Sequence, residues 1–262
     1  MTPETSRLAS ELLQLAESVA IAAGDLLMDR PSSFELSEKT TAIDFATQMD
    51  LKAETLIVQS LLAARPDDGI IGEEGAARES TSGITWVIDP LDGTVNYFYG
   101  LPGWNVSIAA RDSQGSLVGV VYAPTINSLW HAVRGAGAFH NGEKIRSTTQ
   151  VSLDRALLGT GFAYDVADRT EQIAMVASLL PRTRDIRRMG SAAVDLCHVG
   201  MGALDGYFER GLKEWDWAAG ALVATEAGAY VAHLGDGARK LTVAAGAGLF
   251  QTLQEALAGA LD

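Results

Sequence analysis

The chain has one cysteine, Cys197, so no intrachain disulfide can form and a disulfide-stapled fold is excluded. Basic residues are scarce as well: 20 Lys and Arg stand against 33 Asp and Glu, a formal net charge of −13. A surface of that sign argues against nucleic acid and anionic membranes as partners. It leaves open a phosphorylated substrate wherever metal ions supply positive charge locally. The four histidines, His131, His140, His198 and His233, form no H-E-x-x-H and no pair on one helix face, so a zinc site is not expected. No apolar run approaches the ~20 residues of a membrane span. The opening M-T-P-E-T-S-R-L lacks the basic-then-apolar order of a signal peptide. A soluble, cytoplasmic protein is the expectation.

What is present is an ordinary globular composition, 47% hydrophobic and 20% charged over 262 residues, enough for a sizeable core. Leu8, Leu12, Leu15, Val19, Ala22 and Leu26 step by three and four along one helix face, which Pro31 ends. A second helical pattern follows Asp50. Short apolar runs bounded by turn residues then read as strands at 69–72, 84–88, 106–110, 117–122 and 129–133, with a hairpin signal at Asn141-Gly142. Beyond Leu153 strands alternate with helices. Strands are expected at 156–160, 204–209, 229–234 and 241–245, and helices at 169–180, 191–199, 215–227 and from Leu249 onward. No linker or repeat interrupts the series. The expectation is a single α+β unit, 1–262, with halves at 1–152 and 153–262 built from helices around two mixed sheets.

Acidic residues cluster where these elements end: Asp44 and Asp50, Glu73 and Glu74, Asp89 and Asp92, and Asp216. Taken singly, each reads as a solvated loop acid or a helix cap. The stretch T-W-V-I-D-P-L-D-G-T-V-N-Y is different, because an apolar strand delivers two aspartates three residues apart into one turn. Like charges that close need bulk water or a cation. An all-oxygen cluster suits Mg²⁺, and Gly93 and Thr94 offer bare backbone amides beside it for a phosphate. Other site types fail on spacing. D-P-L-D-G is not an EF-hand loop, the aspartates stand at i and i+3 where an aspartyl-phosphate phosphatase needs i and i+2, and neither a nucleotide-binding glycine motif nor G-x-S-x-G occurs.

With its neighbours the same stretch resembles the inositol monophosphatase family, whose signature is W-x-x-D-P-[IL]-D-G-T-x-N-[FY]. The later W-D-W-A-A-G is similar to the family's second signature, and Lys39, Asp44, Thr47 and Asp50, followed by I-G-E-E, fall in the family's order. The resemblance implies a five-layered αβαβα sandwich, a homodimer, and a lithium-sensitive phosphomonoesterase using two or three Mg²⁺. Carried over, Glu73, Asp89 and the Leu91 carbonyl would hold one metal, with Asp89 bridging to a second held by Asp92 and Asp216. Thr94 and Asp50 would orient and deprotonate the attacking water, with Glu73 also in the catalytic set. Asp92, Gly93, Thr94 and Asp216 would meet the phosphate end. Ser191 and Ala192, through backbone groups, and Glu209 would meet the hydroxyls of a small phosphorylated polyol. Glu74 would lie behind the ligands or at a third metal, and Lys39 on a mobile flap near the site. Histidinol phosphate is the rival substrate, and a regulatory binding protein the rival role. Tyr207, Phe208, Trp215 and Trp217 read as packing, the basic run 182–188 as a solvated segment or dimer rim, and Asn105 has no evident role in the sequence alone.

Overall fold

Thr2 starts the first helix: its hydroxyl accepts the Thr5 N–H at 3.2 Å and Pro3 fits the first turn, where no amide is needed. The computed structural model describes residues 2–39, 43–235 and 237–258. Helix α1 (Pro3–Met28) is followed by a short antiparallel hairpin, β1 (Leu36–Glu38) with β2 (Phe45–Thr47). Helix α2 (Gln48–Ala64) opens on a capping box in which the Thr47 hydroxyl accepts from Met49 and Asp50 accepts the Thr47 N–H at 2.8 Å.

Eight strands then form one sheet: β3 (Gly69–Gly72), β4 (Ala77–Arg78), β5 (Thr85–Asp92), β6 (Asn105–Asp112), β7 (Gly115–Ala123), β8 (Ser128–Val133), β9 (Gly137–His140) and β10 (Glu143–Lys144). Their spatial order is β10-β9-β8-β7-β6-β5-β3-β4, antiparallel except for the β3–β5 pair, and helix α3 (Thr94–Tyr99) follows β5. The second sheet takes β11 (Leu157–Thr160), β12 (Asp185–Arg187), β13 (Gly206–Arg210), β14 (Tyr230–Leu234) and β15 (Leu241–Ala245) in the order β12-β11-β13-β15-β14. Helices α4 (Val166–Leu179), α5 (Ala192–Gly200), α6 (Glu214–Glu226) and α7 (Phe250–Ala258) complete the chain.

Four apolar clusters define the layers. Leu12, Val19 and Leu27 of α1 and Ile57 and Leu61 of α2 pack with Trp86, Ile88 and Ile108 on one face of the large sheet. The other face, with Val87, Ala109, Val121 and Trp130, meets Val194 and Cys197 of α5 and Ala219 and Val223 of α6. Leu196 of α5 and Ala224 of α6 turn instead to Tyr207 and Ala244 of the small sheet, whose far face packs Phe208 and Val243 against Met175 of α4 and Leu253 and Leu257 of α7. The order is helices, sheet, helices, sheet, helices: five layers, as expected. The expected long elements all form. The basic run is partly otherwise, since Asp185–Arg187 is an edge strand of the small sheet, parallel to β11.

Candidate active site

Residues i and i+3 of a regular strand point to opposite faces, so Asp89 and Asp92 would be separated by the sheet. The β5–β6 register prevents that. Asp89 pairs with Ser107 and Asp92 with Asn105, so three steps on β5 are matched by two on β6. The inserted residue, at Pro90-Leu91, is a β-bulge that brings both aspartates to one side. Gly93 then turns the chain with φ +85° into α3. A Cβ there would lie 3.3 Å from the Gly190 carbonyl and from Trp104 Cα, so glycine serves both the conformation and the close approach.

Asp89 and Asp92 open onto a cavity of about 320 Å³ lined also by Glu73, Leu91, Gly93, Thr94, Ser191, Ala192, Glu209 and Asp216. Every predicted site residue except Asp50 is on that wall. Asp50 stands behind Thr94, whose hydroxyl lies 3.0 Å from Asp50 Oδ1 and 3.1 Å from the Leu91 carbonyl, and its one proton serves one acceptor at a time. The Thr47 hydroxyl and N–H fix Asp50 Oδ2 at 2.6 and 2.8 Å. Burial lifts the Asp50 carboxyl to about 6 even though the two Thr47 donors pull it down.

The acids share one environment. Burial, then Glu73, Asp92 and Asp216, raises Asp89 well above the usual carboxylate range, and burial does the same to Asp216. Glu73 and Asp89 are presented side by side from β3 and β5, where the Glu73 N–H reaches the Ile88 carbonyl at 3.2 Å, and the Glu73 charge adds to the rise of Asp89. Asp92 Oδ2 receives the Ser191 hydroxyl at 2.5 Å, the Ala193 N–H at 3.1 Å and the Asn105 amide at 3.2 Å. Asp216 Oδ2 accepts the Lys213 N–H at 2.6 Å. Each anchored carboxylate is therefore aimed by one oxygen and keeps the other for the cavity. Lys39 Nζ binds Glu73 at 2.8 Å and Glu74 at 2.5 Å. Burial opposes its charge, but the two glutamates more than reverse that and hold it above the ordinary lysine range.

All-oxygen donors on one buried wall, with Leu91 supplying a carbonyl, have the chemistry that suits a hard divalent cation. Among the described residues no group of three or more Asp, Glu, His or Cys side chains stands close enough together to hold a metal ion unaided. A hard cation that keeps several of its own waters needs only one or two of these carboxylates at once.

Ser191 stands on the cavity wall at the start of α5. Its hydroxyl is spent inside the protein, on Asp92, Asn105 and the Val194 N–H, and its carbonyl accepts from Asp195. Asn105 thereby acquires a role: it bridges Ser191 at 2.7 Å and Asp92, tying the large sheet to α5. Glu209 accepts the Tyr207 hydroxyl, and burial lifts it to about 7 against that bond and the pull of Arg188. Sequence reasoning missed Arg188, Tyr164, Phe162 and Asp195, all on the cavity wall. Arg188 is thus a cavity residue and not merely part of a solvated run. Asp195 had a readable signal, one helical turn after Ser191. The others arrive through tertiary packing.

The Inositol monophosphatase family model matches residues 8–262. The chain belongs to the inositol monophosphatase family. Similar relatives include an inositol-1-monophosphatase of Mycobacterium leprae (strain TN), 44% identical over 202 residues, 74% of this chain and 69% of that protein. The Nus factor SuhB of Escherichia coli (strain K12) is 41% identical over 231 residues, 86% of each chain. The crystal structure of extragenic suppressor protein suhB from Bartonella henselae superposes with a TM-score of 0.88 at 32% identity, covering 94% of this chain and 98% of that one. An inositol monophosphatase is a phosphatase by family, and among the described residues no helix of this one is long and apolar enough to cross a membrane.

Proposed function

We propose that the chain is a Mg²⁺-dependent phosphomonoesterase that hydrolyses inositol 1-phosphate and related polyol phosphates, acting as a lithium-sensitive, cytoplasmic homodimer whose halves, 1–152 and 153–262, form one catalytic unit. The observation that carries the reading is the gathering of the buried carboxyls Glu73, Asp89, Asp92 and Asp216, which raise one another, on the same cavity wall as Gly93 and Thr94. Carboxyls that need a cation and bare N–H donors that suit a phosphate make a phosphoryl-transfer site. Glu73, Asp89, Asp92, Asp216 and the Leu91 carbonyl would hold two or three ions. Mg²⁺, when bound, supplies the positive charge that acidifies a water and offsets the alkoxide that leaves.

The chain's own residues do the rest. Gly93 and Thr94 N–H groups orient the phosphate. The Thr94 hydroxyl, held by Asp50, accepts a proton from the attacking water and passes its own to Asp50 Oδ1, a base lifted by burial towards neutrality. Glu209, with Ser191 and Ala192 nearby, faces the leaving group's hydroxyls. Two buried acids on that wall, Glu209 and Asp195, also favour a second reading, because they suit the cationic end of histidinol phosphate. The Nus factor name of the E. coli relative keeps a binding role on this fold beside both.

Phosphate release from inositol 1-phosphate and histidinol phosphate, each with and without Mg²⁺, is the test. Mg²⁺-dependent release from the inositol ester supports the proposal. Preference for histidinol phosphate moves the substrate, and release from neither ester rejects the enzyme reading.

A further inference from the structure

Glu54 lies on α2 one turn after Asp50, is 7% exposed, and is not on the cavity wall. Its carboxylate fills the turn between β3 and β4. Oε2 accepts the Glu74 N–H at 3.0 Å and Oε1 the Ala76 N–H at 3.1 Å. The turn closes on itself through the Gly72 N–H and the Ala76 carbonyl at 2.7 Å, and the Glu73 N–H reaches the Ile88 carbonyl of β5 at 3.2 Å. Gly72 makes room, since a Cβ there would fall 2.2 Å from Glu54 Oε2.

A carboxylate is an odd choice if this contact only has to hold the turn. Burial raises it and Glu74 beside it works the same way, against the two N–H donors and Lys39. A neutral amide would offer the two N–H groups one oxygen but would bury no charge. What a carboxylate adds is rigid two-point anchorage of backbone together with negative potential behind a cation seat. The turn it anchors presents Glu73 to Asp89. The same helix face carries Asp50, so α2 sets the spacing between the base that serves Thr94 and the turn that serves the metal.

We infer that Glu54 is a positioning residue: it locks the Gly72–Ala76 turn in the conformation that places Glu73 against Asp89, and so sets the affinity of the site for Mg²⁺. The inference rests on the metal-dependent phosphatase reading above. It concerns how tightly the ion is held, not the chemistry at phosphorus.

Glu54→Gln and Glu54→Ala test it against the unaltered protein, with Mg²⁺ binding followed by titration calorimetry, Mg²⁺-dependent phosphate release, and thermal melting without metal. Partners behind metal ligands commonly control affinity by about 10–100-fold. The Mg²⁺ dissociation constant and the half-saturating Mg²⁺ concentration should therefore rise about tenfold or more for Glu54→Ala. Glu54→Gln keeps one acceptor and should fall between. At saturating Mg²⁺, kcat should return to within a few-fold. Unchanged Mg²⁺ affinity in both variants, or a loss of kcat that Mg²⁺ does not restore, overturns the inference. If Glu54→Ala does not fold, Glu54→Gln alone decides by the same readings. Absence of Mg²⁺ binding in the unaltered protein would instead sink the reading on which the inference rests.

Discussion

At the scale of the residue, the cavity separates aiming from reacting. Asp92 spends Oδ2 on Ser191, Ala193 and Asn105, and Asp50 spends Oδ2 on Thr47, so each is held by one oxygen and works with the other. Asp50→Asn keeps the shape and removes the base, so kcat should fall by about 10²–10⁴-fold with KM little changed. The pH dependence follows from the position near 6. Below it the Asp50 carboxyl is protonated and cannot take a proton through Thr94. The acid limb of the kcat profile should therefore drop tenfold per pH unit below about 6, and Asp50→Asn should flatten it. A limb that survives the substitution would give the base role to another group. Asn105→Leu removes the bridge between Asp92 and Ser191 and leaves Asp92 under-solvated in a buried place. Weaker Mg²⁺ binding is expected, with KM for the ester unchanged once Mg²⁺ is saturating.

At the scale of the element, the large sheet, α6 and α5 approach too closely for side chains at certain positions. A Cβ on Gly119 of β7 would lie 2.9 Å from the Ala219 carbonyl of α6. Gly119→Val should therefore destabilise by about 1–3 kcal/mol through overpacking, seen as a lower denaturation midpoint with an unchanged slope. A stability equal to the parent's would show that the two layers can part freely. The elements themselves were legible because their signals are local: helical spacing from Leu8 to Leu26 and apolar runs between turn residues. The cavity acids Glu73, Asp89 and Asp92 were legible for the same reason, each sitting where such a run stops. What stayed hidden is set by pairing across the chain. The hairpin Leu36–Glu38 with Phe45–Thr47, and the edge strand Asp185–Arg187, are three residues each and exist only through their partners. The bulge that turns Asp89 and Asp92 to one side is a property of β5 against β6, not of D-P-L-D. Arg188 and Asn105 gain their roles from segments that stand far away in sequence.

At the scale of the whole molecule, a chain of net charge −13 places many acids in one cavity, and its stability should register that. Burial raises Glu209 to about 7 and carries Asp89, Asp195 and Asp216 well above their ordinary range, whereas in the unfolded chain these groups titrate near 4. A carboxyl raised in the folded state stabilises below its unfolded value, and that contribution is lost as pH climbs through the folded value. His140, His198 and His233 are lowered, chiefly by burial, and act in the opposite direction, but only below about 6.5. The comparison therefore belongs between pH 6.5 and 8.5. Over that range Glu209 alone costs about 1 kcal/mol, equivalent to ~2–4 °C for a chain of this size, and the higher-lying acids add to it. Metal-free protein should melt lower at pH 8.5. Mg²⁺ binds the folded form and competes with the same protons, so its stabilising shift should be larger at pH 8.5 than at pH 6.5. A metal-free melting temperature that rises over this range, or a Mg²⁺ shift equal at both ends, would mean that these acids are not held together by the cation, and that the cavity manages its charge through Lys39 and Arg188 alone.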